Sequence, residues 1–286
     1  MTWLRKRSGL KTLLFLFPGI SFLLVLFGFP LFEALLGSFG LTEGLSAFTF
    51  KHYAVFATRT VMWRGFTTSI YYGVAPVAVT LVLSIGLAML LRKHFLGRKL
   101  FNGLYKIPMA VPAIITSLMV LTLFEQGGFI DRLLLPLGLQ LPKMVRDQWG
   151  VGVILATTWK QLPFMTLVIT GAFAAIPEDM RHAARSLGAS PVSAFLFIEL
   201  PLAMPGITAA VLLTFIGSMG SFAIPDLVGA PNPSALSVLM VRAFSQGNIQ
   251  QVYAIGMVLS AFAIAALLLY YALTSGASAN ARHTDD

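Results

Sequence analysis

The chain has 286 residues, of which 57% are hydrophobic and 11% charged, and it contains no cysteine. Charged residues make up about 25% of an ordinary soluble domain, so this composition excludes a typical soluble protein and indicates a lipid bilayer as solvent. The absence of cysteine excludes disulfides and cysteine-ligated metals. The formal net charge of +9 is typical of basic loops that anchor a membrane protein on its cytoplasmic side, and we do not predict nucleic-acid binding.

Six segments are long and apolar enough to cross a bilayer, which takes about 20 residues of helix. The predicted spans are 12–32, 65–91, 107–124, 150–175, 200–222 and 252–274. The first follows Arg5, Lys6 and Arg7 as the core of a signal peptide would, but its 21 uncharged residues exceed such a core. We therefore predict a retained first helix.

Lysine and arginine are distributed unevenly between the two sides that six spans would create. The N-terminal tail, the second and fourth loops and the C-terminal tail hold twelve, whereas the other three loops hold seven. Because the richer side of a membrane protein is usually cytoplasmic, we predict that both termini are inside. We expect one all-α membrane domain over 1–286, with a cytoplasmic loop at 177–201 and a flexible tail at 275–286.

The cytoplasmic loop at 177–201 has the punctuation of two short helices joined by a sharp turn. Pro177 and the acids after it suit a helix start, Gly188 suits a left-handed helix end, and Ser190 with Pro191 suits the next start. The residues at i, i+3, i+4 and i+7 of the first helix form one apolar stripe: Met180, Ala183, Ala184 and Leu187. On pattern alone, this pair could also be a surface helix in the headgroup region.

The residue identities in this loop resemble the E-A-A motif of ABC importer permeases. The matching positions, at the family's spacing, are His182, Ala183, Ala184, Gly188, Ile198, Leu200 and Pro201. Three further segments resemble the spermidine/putrescine branch of that family: Leu162-Pro163-Phe164, Met204-Pro205-Gly206 and Phe222 to Gly229. The motif is specific for the family and weak for the substrate.

This resemblance implies a type I ABC importer permease fold with six transmembrane helices in a bacterial inner membrane. It also implies two ATPase subunits that bind ATP and Mg, a second permease and a solute-binding protein as partners, besides membrane lipid. No cofactor is expected on this chain, which has no G-x-x-x-x-G-K-[ST] phosphate loop and is not predicted to be an enzyme. The residues to which the resemblance assigns ATPase coupling are Glu178, Arg181, His182, Ala183, Ala184, Gly188, Ile198, Leu200 and Pro201.

His182 stands where the family motif has glutamate, which leaves open the ion pair that the glutamate would make. Glu178 lies one turn earlier and could replace it. Alternatively, the second permease of a mixed pair could keep the glutamate. The sequence does not choose between these two explanations.

Five residues are candidates for the solute pathway or its gate: Lys160, Ser218, Ser221, Phe222 and Asp226. Lys160 interrupts a span, so it either lines the route at a helix break or extends to the interface. Asp226 lies in a stretch rich in glycine and proline, which we expect to be non-helical, as a rigid outer turn or as a gate. Asp226 and nearby aromatic rings favour a polyamine, whereas Lys160 favours an anionic solute.

Two rival functions are weighed against the importer. A secondary transporter would show inverted repeats or charged relays within spans, and only Lys160 is of that kind. A membrane enzyme would need clustered acids or histidines, but His52, His94, His182 and His283 fall in four separate loops or tails. No metal site is predicted.

Overall fold

The computed structural model describes residues 14–41 and 48–282, with side chains described as far as residue 272, and all regular structure in these ranges is helical. The first helices are α1 (Leu14–Ser38), α2 (Lys51–Thr58), α3 (Thr60–Leu91), α4 (Arg98–Leu104), α5 (Ile107–Ala110), α6 (Ala113–Phe124) and α7 (Phe129–Leu134). The later ones are α8 (Val151–Ala174), α9 (Glu178–Ser186), α10 (Pro191–Met219), α11 (Ala223–Val228), α12 (Leu236–Ser245) and α13 (Ile249–Arg282). The basic N-terminal tail lies outside the described residues.

Six helical segments are long and apolar enough to cross a membrane, which confirms the predicted number. They are α1, α3, Ala113–Leu137, α8, α10 and the Ile249–Ala272 part of α13. Helix α13 continues to Arg282, so residues 275–282 of the predicted tail are helical, and 283–286 lie outside the described residues. The prediction of one membrane domain over 1–286 stays a prediction.

The third span begins later than predicted. Its predicted start at 107 is wrong because α5 ends at Ala110 and Val111 is extended, with φ −79° and ψ 127°. Pro112 explains the break, since it has no N–H and its ring disfavours a helical conformation in the preceding residue. The apolar segment long enough to cross the membrane runs from Ala113 to Leu137. The helix that begins it, α6, ends at Phe124, the predicted end.

The fifth span begins earlier than predicted. The second short helix expected in the loop is instead the start of α10, which runs from Pro191 through Pro201 to Met219. A π-helical turn at Phe195–Glu199 directly precedes the part of α10 that holds Pro201. Such a wider turn changes the hydrogen-bonding register, which accommodates a residue without an N–H.

The chain divides into two compact units. The first contains Met1–Thr60 and Met240–Val258. Its described core near α2 is aromatic: the ring of Phe39 stacks on Phe48 at 4.9 Å between centroids, and the Tyr53 hydroxyl donates a 2.8 Å hydrogen bond to Ser38 Oγ. These contacts join the end of α1 to α2.

The second unit contains Val61–Leu239 and Leu259–Asp286. One buried cluster joins α8 to α10, with Met165, Ile169 and Phe173 fully buried against Ala203, Ile207 and Ala210. The two helices come so close at Gly206 that a Cβ there would lie 2.5 Å from Ala172 Cβ. Small residues let membrane helices pack closely, as at this crossing.

Hydroxyl groups bind backbone carbonyls near the prolines within α3 and α8, which both continue as helices through those prolines. Thr80 Oγ1 donates a 2.6 Å hydrogen bond to the Pro76 carbonyl, and Thr158 Oγ1 lies 3.4 Å from the same oxygen. Ser84 Oγ donates to the Leu162 carbonyl at 3.4 Å. Because no water is available inside a bilayer, such bonds satisfy polar groups and also hold α3 against α8.

Candidate functional site

Helix α9 begins and ends where the sequence predicts. Pro177 precedes its first residue, and Glu178 and Asp179 lie in its first turn, at the positive end of the helix dipole. At the other end Gly188 is left-handed, with φ +83°. Ala189 N donates to Ala184 O and Gly188 N donates to Arg185 O, both at 3.0 Å, which is the Schellman arrangement. The helix is therefore rigidly terminated.

The turn after α9 leads directly into α10. Ser190 caps this helix, because its Oγ accepts a 3.1 Å hydrogen bond from Ser193 N. Pro191 occupies the first turn, where the missing N–H is harmless. The helix continues into the fifth span and contains three of the motif residues, Ile198, Leu200 and Pro201.

The predicted apolar stripe of α9 divides between two directions. Ala184 is buried, with 4% of its surface exposed, and holds α9 to the protein. Met180 and Leu187 are 48% and 88% exposed, and Ala183 is exposed as well. Most of the stripe is therefore exposed, and only Ala184 is buried.

His182 and Glu178, the two residues weighed for the missing motif glutamate, are both exposed. Neither has a salt bridge within the part of the chain that the structure describes. The carboxylate that does form ion pairs in this loop is Glu199, at the variable position of the I-x-L-P sequence. Its side chain is only 8% exposed.

Glu199 forms ion pairs with two arginines. Its Oε2 lies 2.5 Å from Nη1 of Arg92, the residue after α3, and its Oε1 lies 3.3 Å from Nε of Arg181 in α9. The Arg92 guanidinium also lies over the ring of Phe173, 5.3 Å from the centroid. One carboxylate thus joins α3, α9 and α10, and we name Arg92, Arg181 and Glu199 the ionic cluster.

Two donors of the ionic cluster are buried without a hydrogen bond. They are Arg92 Nη2 and Arg181 Nε, the latter close to Glu199 but not in hydrogen-bonding geometry. A buried unsatisfied donor costs about 1–3 kcal/mol. Sequence reasoning missed Arg92 and Glu199, although an acid beside apolar residues at the start of a span is a signal.

Lys160, the charged residue within the fourth span, contacts the broken third span. Its Nζ donates a 2.6 Å hydrogen bond to the carbonyl of Val111, between α5 and α6. The ammonium therefore satisfies backbone that the helix break leaves free. Within the described ranges, no hydrogen bond or ion pair joins Lys160 to the other predicted pathway residues.

Ser218 pairs with a neighbour of Lys160 that the sequence analysis missed. The Oγ of Ser218 is buried and lies 2.7 Å from Nε2 of Gln161 and 3.0 Å from its Oε1. Gln161 Nε2 also donates to the Thr214 carbonyl at 3.3 Å. A polar side chain beside a lysine within an apolar span is the signal that could have revealed it.

Ser221, Phe222 and Asp226 lie at the start of the segment that follows α10. Ser221 contributes its carbonyl, which accepts a 2.7 Å hydrogen bond from Ser237 Oγ. Phe222 and Asp226 are exposed. The expectation that this stretch is non-helical is wrong for Ala223–Val228, which forms α11 with Asp226 in its first turn, and is confirmed for residues 229–235. Pro225 falls within the first turn of α11, where a proline N–H is not needed.

Helix α11 is held by α6 and by the loop at 138–150. Ser117 Oγ in α6 lies 3.3 Å from the Ala223 carbonyl, and Arg146 N donates to the Val228 carbonyl at 2.9 Å. Arg146 has a positive φ of 53°. The exposed Asp226 is therefore presented by a short helix fixed at both ends.

Two of the cavities in the second unit lie beside α3, α6 or α8. One, of about 190 Å³, lies between α6 and α8 and is lined mainly by apolar groups: Thr116, Met119, Val120, Leu123, Phe124, Leu155 and Trp159. The other, of about 250 Å³, is lined by Thr67, Thr68, Tyr71, Tyr72, Gln148, Ala230 and Pro233. Within the described residues, no group of three or more His, Cys, Asp or Glu could hold a metal ion.

The family model of the binding-protein-dependent transport system inner membrane component matches residues 80–279. The chain belongs to this family. It is accordingly a multi-pass ABC importer permease, a transport subunit whose matched region includes the ionic cluster and the loop at 177–201.

Several curated permeases are similar to this permease. A probable ABC transporter permease of Sinorhizobium fredii, y4oQ, is 29% identical over 294 residues, which cover 98% of this chain and 95% of the relative. A probable molybdenum ABC transporter permease of Haloferax volcanii is 29% identical and covers 76% of this chain and 77% of its own length. The trehalose/maltose permease MalF of Thermococcus litoralis is 28% identical, with coverages of 69% and 68%.

Solved structures show the same fold. A bacterial ABC transporter involved in the import of alginate, an acidic polysaccharide, aligns with TM-score 0.80 at 17% identity, covering 96% of this permease and 98% of that chain. The MetNI methionine transporter in an inward-facing conformation aligns with TM-score 0.56 at 19% identity, with coverages of 76% and 98%. The permease therefore has the type I ABC importer fold, as predicted.

Proposed function

We propose that this permease works with a second permease, two ATPase subunits and an extracytoplasmic solute-binding protein in a bacterial inner membrane. ATP and Mg bind to the ATPase subunits, and this chain converts their closure into a change of access across the membrane. Both of its termini lie in the cytoplasm. The observation that carries the proposal is the rigidly terminated α9, which presents Leu187 to solvent beside Gly188.

The exposed side of α9 is more typical of a protein–protein interface than of a surface in contact with water. Met180, Ala183 and Leu187 form an uncovered apolar face, while Glu178, Asp179 and Arg185 surround it with charge. Apolar residues with a polar rim are typical of protein–protein interfaces. Because Ile198 to Pro201 are continuous with the fifth span, a push on α9 reaches α10 across the turn at residues 187–190.

The docking of α9 can be tested by affinity purification of the tagged chain with its ATPase subunit. We expect Leu187→Glu to abolish both the co-purification of the ATPase and the ATP hydrolysis of the purified sample, because it places a charge within the apolar face. Leu139, an exposed residue of the loop at 138–150, gives a matched control, and Leu139→Glu retains the ATPase. Co-purification that survives Leu187→Glu would exclude this face as the docking surface.

For the solute we propose a polyamine, on the resemblance of Leu162–Phe164, Met204–Gly206 and Phe222–Gly229 to spermidine/putrescine permeases. The exposed Asp226 and Phe222 on α11 support it, because a carboxylate and an aromatic face both attract an organic cation. The alternative is another small solute, since relatives of this permease are named for molybdenum and for trehalose/maltose.

The solute proposal is tested by ATP-dependent uptake in proteoliposomes with the associated binding protein. Labelled spermidine and putrescine are compared with maltose, sulfate and molybdate. We expect uptake of the two polyamines only, reduced in Asp226→Asn and retained in Asp131→Asn, which changes an acid in α7. Uptake of a sugar or an oxyanion would assign the alternative.

A further inference from the structure

We infer that Glu199 is the positioning residue that ties α9 to the ends of α3 and α10, so that the ionic cluster passes the displacement of α9 to both spans. This inference rests on the proposed function. It assigns a role to Arg92 and Glu199, which lie outside the exposed face of α9.

The geometry gives each arginine its own carboxylate oxygen. Oε2 of Glu199 pairs with Arg92, at the end of α3, and Oε1 pairs with Arg181, in the middle of α9. Glu199 itself is the last residue of the π-helical turn of α10. A single buried side chain therefore connects α9 and α10 to the end of α3, which is distant from them in sequence.

The two contacts of Glu199 are unequal. The Arg92 contact is 2.5 Å long and makes a hydrogen bond, and Arg92 is further held over the buried ring of Phe173. The Arg181 contact is longer, 3.3 Å, and its Nε lacks a hydrogen bond. The Arg92 side is thus the fixed link between α3 and α10, and the Arg181 side is the link that α9 can tighten or release.

The composition of the cluster fits a moving contact better than a purely stabilising one. Two cations share one carboxylate, and buried donors remain unsatisfied. Buried ion pairs often add little stability compared with apolar residues of the same size. An incomplete contact leaves the Arg181–Glu199 pair able to tighten or separate when α9 moves, which is what a coupling element requires.

The test is made on the reconstituted complex of the permease with its ATPase and binding protein, measuring solute uptake and ATP hydrolysis together. We expect Arg181→Gln to retain the ATPase subunit and its hydrolysis while uptake per ATP falls at least about fivefold. Arg181→Lys restores much of the ratio, because it keeps the positive charge. Arg59→Gln, which changes an exposed arginine outside both the ionic cluster and α9, leaves the ratio unchanged.

Glu199→Gln removes the charge from both links, so we expect a larger loss of uptake per ATP than in Arg181→Gln. Where Glu199→Gln is not produced as an intact complex, Arg181→Gln carries the test, because it leaves the Arg92–Glu199 pair in place. An unchanged ratio in Arg181→Gln, with the ATPase still bound, would overturn this inference alone. The proposed docking is tested separately by Leu187→Glu and its control Leu139→Glu. It would be contradicted if both variants lost the ATPase or if both retained it.

Discussion

The ammonium of Lys160 in α8 donates a hydrogen bond of 2.6 Å to the carbonyl of Val111, where the third span is broken before Pro112. The hydrogen bond satisfies the free carbonyl, and the carbonyl stabilises a charge that would be costly in the membrane. A residue predicted for the solute pathway therefore has a structural partner.

Lys160→Met is expected to destabilise the permease by about 1–3 kcal/mol, because the Val111 carbonyl loses its donor within an apolar environment. The measurement is thermal unfolding of the purified complex in detergent, with Lys143→Met, at an exposed position of the loop at 138–150, as control. A variant with unchanged stability but reduced uptake would contradict this structural role and favour a direct role in the pathway.

Gly206→Val is expected to separate α8 from α10, because its Cβ would meet Ala172 Cβ at 2.5 Å. Overpacking of this kind costs about 1–3 kcal/mol. Gly217→Val is the matched control in the same helix, since no atom lies within 4 Å of a Cβ built there. Equal unfolding temperatures for the two variants would show that the crossing tolerates a larger residue.

Gly188→Val is expected to weaken the turn between α9 and α10 through backbone strain alone. A left-handed conformation costs an ordinary residue about 1–2 kcal/mol, and the position is otherwise open, with φ +83°. In Gly188→Asn we expect ATPase activity closer to that of the unmodified permease, because asparagine tolerates the left-handed conformation. The measurement is ATPase activity of the purified complex, and identical activity in both variants would contradict the explanation.

The Gln161–Ser218 pair is expected to be worth about 0.6 kcal/mol, typical of hydrogen bonds between membrane helices. A double-mutant cycle with Gln161→Leu and Ser218→Ala measures it from unfolding in detergent. Additive effects of the two substitutions would mean that the pair contributes nothing to the α8–α10 contact.

Much of the architecture could be predicted because hydropathy and chain punctuation act locally. Runs of uncharged residues indicate six spans whatever the neighbours are, and Pro177, Gly188 and Ser190 mark helix ends through their own backbone preferences. The predicted starts of the third and fifth spans were wrong because hydropathy alone does not show whether a proline breaks a helix. Pro112 breaks the third span although the run stays apolar, whereas Pro201 does not break α10 because a π-helical turn precedes it.

The sequence by itself determined the membrane class, the number of spans and the motif that marks the family, since each depends on residue type and spacing along the chain. Only the tertiary structure decided the partners of the charged residues. Lys160 bonds to the third span, and Glu199 joins Arg92 to Arg181. Such pairs depend on how helices that are distant in sequence pack in space. The spacing of residues along the chain does not reveal that packing.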